Sequence, residues 1–344
     1  MKKVSVVVPC YNAAAYLDKC VEQLVNQTLG IDSMEIILVD DASTDHGETR
    51  NLLLKYEQRF PDTVMVIFLE ENMRQGGARN AGVSYAGGEY LCFCDADDWL
   101  LKEALEHCYQ AAKEYDADVV EFTGENVTDR GANVELKKGT QSRLIELDTE
   151  EKKKEFLLQV NGQVTYGSQQ KLYRTSLIQK HQITFAEHLM FEEPSFVVPV
   201  RLYETRHYFL DECLYVWYLS SGSTMRSDWE RTHRWDNPRV WLAMMEDMSA
   251  RGLLEKYYPE LEYQFWNWGL GLSLMMLLQK GCTLQKEELR FYVDMTLKLF
   301  PDIRKNGYMN CTATAWDYAL LELLDMELTD EQAGFINQFL RECM

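Results

Sequence analysis

The chain has 344 residues, of which 46% are hydrophobic and 26% are charged, a composition typical of a soluble globular protein of about two domains. Asp and Glu number 55 against 35 Lys and Arg, which gives a formal net charge of -20 at pH 7. An acidic surface repels polyanions, so these counts exclude general nucleic-acid binding and docking on anionic lipid through a broad basic patch.

The sequence predicts no secretory signal and no membrane-spanning helix. The apolar run that follows the amino-terminal lysines breaks at Pro9. The charge-free run 265–278 is shorter than the roughly 20 residues that a spanning helix needs. A buried helix is therefore predicted there, with an interfacial helix in peripheral contact with a membrane as the alternative. Nine cysteines without a Cys-x-x-Cys pair indicate reduced core thiols in a cytoplasmic protein.

The amino-terminal half of the chain alternates apolar runs with segments of helical periodicity. The apolar runs predict strands at 4–8, 36–39, 64–69, 90–94 and 119–122. The periodic segments predict helices at 17–25, 48–60, 76–86 and 100–115. Strands this apolar, separated by helices, indicate an α/β fold whose mostly parallel sheet is covered on both faces. Ligands of such sheets bind beyond the carboxyl ends of the strands.

Acidic and turn residues follow three of these strands, at 9–12, 40–43 and 95–98. The last group contains Asp95, Asp97 and Asp98, whose carboxylates repel one another unless a cation or hydrogen-bond donors balance them. A hard divalent metal such as Mg²⁺ or Mn²⁺ prefers such oxygen ligands. A solvated turn that caps the next helix would explain a lone Asp-x-Asp motif, but the convergence of three strand ends favours a binding site.

The carboxyl-terminal part has a different pattern. Residues 126–147 are polar and poorly periodic, which predicts a hairpin or a mobile loop. Helical periodicity returns after Trp229, with helices predicted around Trp241 and at 263–279, 287–299, 315–326 and 330–342. Met and Trp side chains share one face of the helix around Trp241 and are most simply core. We therefore expect one domain at 1–228 and a helical domain at 229–344 that offers a surface for an acceptor, a partner or a second copy of the chain.

Four sequence blocks occur in order in the first part of the chain. They are Val-Ser-Val-Val-Val-Pro-Cys-Tyr-Asn at 4–12, Ile-Leu-Val-Asp-Asp-Ala-Ser-Thr-Asp at 37–45, Gly-Gly-Ala-Arg-Asn-Ala-Gly at 76–82 and Gly-Glu-Tyr-Leu-Cys-Phe-Cys-Asp-Ala-Asp-Asp-Trp at 88–99. Together they resemble the family 2 glycosyltransferases, which are inverting enzymes with the GT-A fold. The resemblance continues more weakly at 171–174, 191–193 and 218–223.

The resemblance implies that the strand ends form a site for a UDP-sugar donor. Asp41 would accept a hydrogen bond from the uracil ring, Arg79 would lie near the base or the diphosphate, and Asp95 would bind the ribose. Asp97 would hold the divalent metal. Tyr11 offers an aromatic face, and stacking is worth roughly 1–3 kcal/mol per base. The residues implied to bind the nucleotide-sugar are Pro9, Tyr11, Asn12, Asp41, Arg79, Asp95 and Ala96.

Several polar residues near these motifs have alternative interpretations. Asn12 could cap a helix, and Asp40 and Asp45 could be turn residues. Lys171 and Arg226 could each contact the diphosphate, although a single basic residue is more simply an exposed charge. These alternatives are left open by the sequence.

The attacking hydroxyl group of the acceptor needs a positioned carboxylate base. The family supplies this base from an acidic pair, usually Glu-Asp, and here the pair is Glu192-Glu193. Glu193 is therefore the implied catalytic base, with a side chain one methylene longer than the usual Asp. A surface acid pair before Pro194 is the structural alternative. The segment 218–223 lacks the histidine that some relatives have there, so we expect no third metal ligand from the protein.

The expected activity is the transfer of one sugar from a UDP-sugar to a carbohydrate or lipid-linked acceptor, without processive elongation, in cell-surface polysaccharide synthesis. The metal would act as a Lewis acid toward the leaving diphosphate. A sugar nucleotidyltransferase is disfavoured, because that class usually has a Gly-rich loop with Arg and Lys where this chain has Pro-Cys-Tyr-Asn. A scaffold protein with an inactive nucleotide pocket is the non-enzymatic alternative, and the intact Asp95 and Asp97 pair argues against it.

Overall fold

The computed structural model describes residues 2–158, 165–219, 229–309 and 314–344. The chain divides into two compact units. The first comprises Met1–Lys153 and Gly162–Arg226, and the second comprises Lys154–Asn161 and Ser227–Met344. The second unit is therefore assembled from two separate stretches of sequence.

Strands are concentrated in the first unit and helices occur in both. The strands of the described residues are β1 (Val4–Cys10), β2 (Met34–Asp40), β3 (Val64–Phe68), β4 (Tyr90–Phe93), β5 (Trp99–Leu100), β6 (Val119–Val127), β7 (Lys137–Lys138), β8 (Arg143–Glu146), β9 (Lys171–Arg174) and β10 (Arg206–Tyr218). The helices are α1 (Leu17–Val25), α2 (Glu48–Arg59), α3 (Arg74–Tyr85), α4 (Ala104–Glu114), α5 (Glu150–Leu158), α6 (Thr175–His181), α7 (Glu193–Tyr203), α8 (Trp229–Thr232), α9 (Asp236–Ala250), α10 (Leu253–Lys256), α11 (Tyr258–Gln264), α12 (Leu272–Gln279), α13 (Lys286–Leu299), α14 (Ala315–Leu323) and α15 (Asp330–Cys343).

One sheet, with the strand order β3-β2-β1-β4-β9-β6-β10-β5, organises the first unit. β1 runs parallel to β2 and to β4, so that Val4 lies opposite both Met34 and Tyr90. β3 extends this parallel group, and β6 runs parallel to β10, whereas β9 lies antiparallel between β4 and β6. All five predicted strands are present, which confirms the α/β fold. The parallel alignment places the carboxyl ends of β1, β2 and β4 side by side.

Helices cover both faces of this sheet, as the apolar strands predict. Val6 and Val8 belong to the same core cluster as Cys20 of α1. Successive side chains of a strand point to opposite faces, so Val7 points away from that cluster. On its side lies α3, packed so closely that a Cβ at Gly82 would come within 2.3 Å of the Val7 side chain. Only glycine allows this helix to approach β1 so closely.

Two segments differ from their predicted structure. The helix predicted at 100–115 begins only at Ala104, because Trp99 and Leu100 form β5 and pair antiparallel with β10. The polar stretch 126–147 contains β7 and β8, which also pair antiparallel with β10. In both cases the partner strand lies far away in sequence, so local periodicity does not indicate the pairing.

The second unit is helical, and its predicted core residues are buried. Trp241, Met244, Met245 and Met248 of α9 are at most 2% exposed. The helix predicted at 263–279 is interrupted by a π-helical segment, Phe265–Gly271, between α11 and α12. Among the described residues, no helix is long and apolar enough to cross a membrane.

Candidate active site

The turns after β1 and β2 are hydrogen-bonded to each other. The Asn12 N–H donates to Ser43 Oγ at 2.9 Å, and Asn12 Oδ1 accepts from the Thr44 N–H at 2.8 Å. Asn12 has a φ of 50°, a left-handed conformation that Asn tolerates better than most residues. Its side chain therefore joins the two turns and caps none of the described helices. Tyr11 remains 49% exposed, which leaves its ring accessible for stacking, whereas Pro9 is buried within β1.

Asp41 is a buried carboxylate at the end of β2. Its Oδ1 accepts from the Met73 N–H at 2.7 Å, and its own N–H donates to the Cys10 carbonyl at 2.8 Å. Burial raises the pKa of Asp41 to about 6, although its backbone donors oppose this shift. The neighbouring Asp40 accepts from the Ser43 N–H at 3.1 Å, and Asp45 accepts from the Thr49 N–H at 3.0 Å. Asp40 and Asp45 thus make the local turn contacts that the alternative interpretation predicts.

Arg79 connects the two acidic motifs of the chain, residues 95–98 and the pair Glu192-Glu193. Its guanidinium has no exposed surface, and its Nη2 donates to Asp95 Oδ1 at 2.8 Å while its Nη1 donates to Glu192 Oε1. Gln169 Nε2 donates to the other Asp95 oxygen at 2.9 Å. Burial would lower the pKa of Arg79, but the adjacent carboxylates outweigh it and raise the pKa. Arg79 therefore binds both Asp95 and Glu192 and holds them close together. A contact between Arg79 and the nucleotide stays a prediction.

The remaining acids of the 95–98 motif have different surroundings. Asp98 is buried, and it accepts from the Tyr215 hydroxyl and from the Tyr218 N–H, each at 2.8 Å. Burial, followed by repulsion from Asp95 and Asp97, raises the pKa of Asp98 to about 8. Asp97 is half-buried, and burial and Asp95 raise its pKa to about 6. Asp98 is thus held by hydrogen bonds from Tyr215 and Tyr218, while burial and Asp95 disfavour the charged form of Asp97 although Arg130 opposes them.

The surroundings of Asp97 fit a metal that shares its ligands with a bound molecule. Among the described residues, no group of three His, Cys, Asp or Glu side chains could hold a metal ion. No hydrogen bond joins the Asp97 carboxylate to another described side chain. A cation there would complete its shell with oxygen atoms such as those of a bound diphosphate and water. The neighbouring Ala96 is buried.

Glu192 and Glu193 lie at the start of α7 and are not a surface pair. Glu192 is 3% exposed and bound to Arg79, and burial raises its pKa to about 7 although Arg79 opposes this shift. Glu193 is half-buried, and its Oε1 accepts from the Ser168 N–H at 3.0 Å and the Ser168 hydroxyl at 3.1 Å. A Cβ at Gly76 would lie 2.2 Å from the Ala186 carbonyl, so glycine is needed where α3 approaches this segment.

Sequence reasoning missed several residues of this site. Ser168 and Gln169 belong to none of the four blocks, and their partners are 25 and 74 residues away, so no local signal marks them. Asp98 lies inside a block but has no assigned role. The sequence interpretation of Lys171, as an exposed charge or a contact of the diphosphate, is wrong. Lys171 is 1% exposed, and its Nζ lies 3.4 Å from Glu121 Oε1, so it is buried away from a diphosphate. Arg226 and residues 220–223 lie outside the described residues.

Comparisons with known proteins identify the family. The model of glycosyl transferase family 2 matches residues 5–180. Glycosyltransferase GlyG of Streptococcus pneumoniae is 31% identical over 76% of this chain and 89% of its own length. The chain therefore belongs to glycosyl transferase family 2, a family of glycosyltransferases. The poly(ribitol-phosphate) beta-glucosyltransferase of Bacillus spizizenii is 32% identical over 54% of this chain, and the match covers 27% of that longer protein.

Solved structures support the same fold. Residues 1–349 of TarS from Staphylococcus aureus, in complex with UDP-GlcNAc, superpose with a TM-score of 0.71 at 22% identity, covering 99% of this chain and 91% of that one. The mannosyltransferase PcManGT from Pyrobaculum calidifontis, in complex with GDP-Man and Mn²⁺, gives a TM-score of 0.52 at 15% identity, covering 95% and 89%. The GT-A fold implied by the sequence is confirmed.

Proposed function

We propose that the chain transfers one sugar from a UDP-sugar to a hydroxyl group of a carbohydrate or lipid-linked acceptor, without processive elongation and with inversion at the anomeric carbon. The arrangement of Arg79, which binds Asp95 of the first acidic motif and Glu192 of the second, carries this proposal. It brings the motif that binds the UDP-sugar and the acid pair that acts on the acceptor hydroxyl group into one cluster. A transferase needs this proximity, because orienting two reactants lowers the entropic cost of their reaction.

The donor site is assembled from the ends of β1, β2 and β4. Tyr11 stacks on the base, Asp41 accepts from the uracil N3–H, and Asp95 binds the ribose hydroxyls. Pro9, Asn12 and Ala96 shape the turns around them, and Arg79 holds Asp95. The complex of TarS with UDP-GlcNAc supports a uridine nucleotide.

Asp97 would hold the divalent cation, Mg²⁺ or Mn²⁺, together with the diphosphate. A bound cation of this kind stabilises the negative charge that develops on the departing UDP. The complex of PcManGT with Mn²⁺ supports this cofactor class. Such a cation would favour the charged carboxylate of Asp97, which burial and Asp95 disfavour.

Glu193 is the base of the proposed reaction. It takes the proton of the acceptor hydroxyl as that oxygen attacks the anomeric carbon, and the bond from this carbon to the diphosphate breaks with its electron pair leaving on UDP. Attack opposite the leaving group inverts the configuration. Ser168, bound to one oxygen of Glu193, orients the carboxylate toward the acceptor.

The acceptor class is suggested by the relatives. The Bacillus spizizenii relative is named for poly(ribitol phosphate), as is TarS of Staphylococcus aureus, which is 31% identical over 55% of this chain and 30% of its own length. We therefore infer a role in teichoic acid or other cell-surface polysaccharide synthesis, with the first unit binding the donor and the second unit serving an acceptor, a partner or a second copy. Buried free cysteines such as Cys92 and Cys94 suit the reducing cytoplasm.

Donor turnover tests the proposal directly. The purified chain is incubated with UDP-GlcNAc, UDP-glucose or UDP-galactose and with poly(ribitol phosphate), and UDP release is followed with Mg²⁺, with Mn²⁺ and with EDTA. We expect one donor to be consumed faster when an acceptor is present, and EDTA to stop the reaction. Turnover of a GDP-sugar or CDP-sugar instead of every UDP-sugar would contradict the donor assignment, and full activity in EDTA would contradict the metal.

A further inference from the structure

A loop without a recognised motif holds both acidic motifs of the site. In residues 165–170, here named the 165–170 loop, Ser168 donates twice to Glu193 Oε1 and Gln169 donates to Asp95 Oδ2. We propose that this loop, fixed by the buried charges beside it, sets the position of Glu193 relative to the donor, and that Ser168 and Gln169 are positioning residues. This inference rests on the proposed function.

Buried charged side chains bind the beginning of the loop on both sides of its backbone. Lys171 Nζ donates to the Thr165 carbonyl at 3.0 Å and to the Gly167 carbonyl at 2.6 Å. Arg201 Nη2 donates to the same Thr165 carbonyl at 2.5 Å, and Glu121 Oε1 accepts from the Thr165 N–H at 2.8 Å. Lys171, Arg201 and Glu121 are each at most 2% exposed. The loop is thus hydrogen-bonded to side chains that are buried and therefore held in one position.

The charges in this network balance one another. Glu121 lies 3.4 Å from Lys171 and 3.3 Å from His207, and His207 lies 3.0 Å from Glu204. Burial would raise the pKa of Glu121, but Lys171 and His207 hold it at about 2. Apolar replacements of buried ion pairs often leave a fold equally stable, so the presence of this network is weak evidence that it stabilises the fold. The presence of this network is more simply explained by the single conformation that it imposes on the 165–170 loop.

The contact with Ser168 leaves one oxygen of the base available. Both donors of Ser168 bind Oε1 of Glu193, and Tyr173 donates its hydroxyl to the Ser168 carbonyl at 3.2 Å. Among the described residues, Oε2 of Glu193 accepts no hydrogen bond. One oxygen is therefore held, while the other can receive the acceptor proton. The structure thus assigns Oε2 as the proton-accepting atom.

Two substitutions in the loop test its two contacts separately, with steady-state kinetics and UDP calorimetry as readouts. Ser168→Ala removes one donor from Glu193, so kcat should fall about tenfold or more while KM for the UDP-sugar stays within about twofold. Ser168→Thr keeps the hydroxyl and should restore most of kcat. Gln169→Leu removes the donor to Asp95, so UDP should bind about tenfold more weakly, with a smaller change in kcat.

A second pair of variants tests the buried network. Lys171→Met combined with Glu121→Gln removes both charges together and should lower kcat and UDP affinity at once, since the Thr165 and Gly167 carbonyls lose their Lys171 donor and only Arg201 still binds Thr165. Adding Ser168→Ala to this variant should then reduce kcat further by less than it does alone. Arg174→Met is the matched control, because Arg174 lies on the same strand but binds Asp118, 2.9 Å away. It should lower the melting temperature without lowering kcat.

The outcomes separate this inference from the proposed function. If Ser168→Ala and Gln169→Leu leave kcat and UDP affinity unchanged while Glu193→Gln loses transfer, the loop has no positioning role and the proposed function stands. If Glu193→Gln retains normal transfer, the transferase function stands but Glu193 is not its base, and this inference falls with that assignment. A loss of kcat in Arg174→Met equal to that in the network variant would show a general effect of stability, and would also overturn the inference.

Discussion

At the scale of single residues, the neighbouring acids Glu192 and Glu193 differ in burial and in their hydrogen bonds. Glu192 is enclosed and bound to Arg79, so a change there disturbs Asp95 through the shared guanidinium. Glu193 is half-buried and held through one oxygen only. Because of this difference, Glu192→Gln is a poor control for the base. Glu187, which is exposed and accepts from Asn80 at 2.9 Å, is a better one.

Glu193→Gln should abolish most of the transfer activity while leaving the donor site intact. The amide keeps the shape and the hydrogen bond from Ser168, but it cannot take a proton. Transfer should fall roughly 10²–10⁴-fold, the usual worth of a positioned base, and UDP affinity measured by calorimetry should change little. Glu187→Gln should keep near-normal transfer. Equal rates for the Glu193 and Glu187 variants would remove Glu193 from the chemistry.

Asp41 should make nucleotide binding both selective and dependent on pH. Ionised Asp41 accepts from the N–H that uracil has and cytosine lacks, and an unpaired buried acceptor costs roughly 1–3 kcal/mol, so UDP should bind about tenfold better than CDP. The pKa of Asp41 is raised to about 6, so the ionised form, which is the stronger acceptor, is present above that pH and is lost as the pH falls through it.

This prediction is checked by titrating UDP and CDP at pH 7.5 and pH 5. The preference for UDP should be clear at pH 7.5 and smaller at pH 5, because protonated Asp41 is a weaker acceptor toward uracil and its new O–H can donate to cytosine N3. Asp41→Asn should show the smaller preference at both values. Equal binding of CDP and UDP at pH 7.5 would mean that Asp41 does not contact the base.

At the scale of elements, the sequence predicted those whose residues share a local period. β1, β2, β3 and β4 are apolar runs and β6 begins with one, and this composition is visible without any partner. β5, β9 and β10 were not predicted, because their conformation depends on pairing across the sheet: Tyr215 of β10 lies opposite Leu100, 115 residues earlier. Helix α7 was missed for a similar reason, since only its position beside Arg79 and Ser168 distinguishes its acidic start from a surface turn.

The candidate site divides in the same way. Asp41, Asp95 and Asp97 could be named because they belong to motifs that follow strands, where ligands of parallel sheets bind. Ser168 and Gln169 could not, because their importance lies in the partners that folding brings to them. Residues that position a motif through hydrogen bonds are therefore harder to recognise in the sequence than the motif itself.

Gly76→Ala should disturb the contact between α3 and the segment that leads to the acid pair. The added Cβ would lie 2.2 Å from the Ala186 carbonyl and 3.0 Å from Glu192 Cγ, so backbone must shift. Forced overpacking typically costs about 1–3 kcal/mol, and the melting temperature and kcat should both fall. Gly334→Ala on α15 is the control, since its Cβ would meet nothing within 4 Å and alanine favours a helix. Unchanged kcat and stability in Gly76→Ala would contradict the close approach.

At the scale of the whole molecule, sequence order and folding units do not coincide. The second unit takes in Lys154–Asn161 from the middle of the chain. Phe156 and Leu157 at the end of α5 are each 1% exposed, and Gln264 of α11 donates to the Leu157 carbonyl. A fragment that begins at residue 229 would lack these buried side chains, so its isolated behaviour would misrepresent this unit.

Phe156→Ala should therefore destabilise the second unit selectively. Replacing a fully buried Phe with Ala typically costs about 3–5 kcal/mol, through lost apolar burial and the cavity that remains. Hydrogen exchange should show faster exchange in α9, α11 and α12, while β1 and β4 keep their protection and UDP binds with unchanged affinity. Phe335→Ala is the matched control, because Phe335 is 65% exposed and its loss should change exchange little. Faster exchange confined to β1 and β4 would mean that Phe156 stabilises the first unit instead.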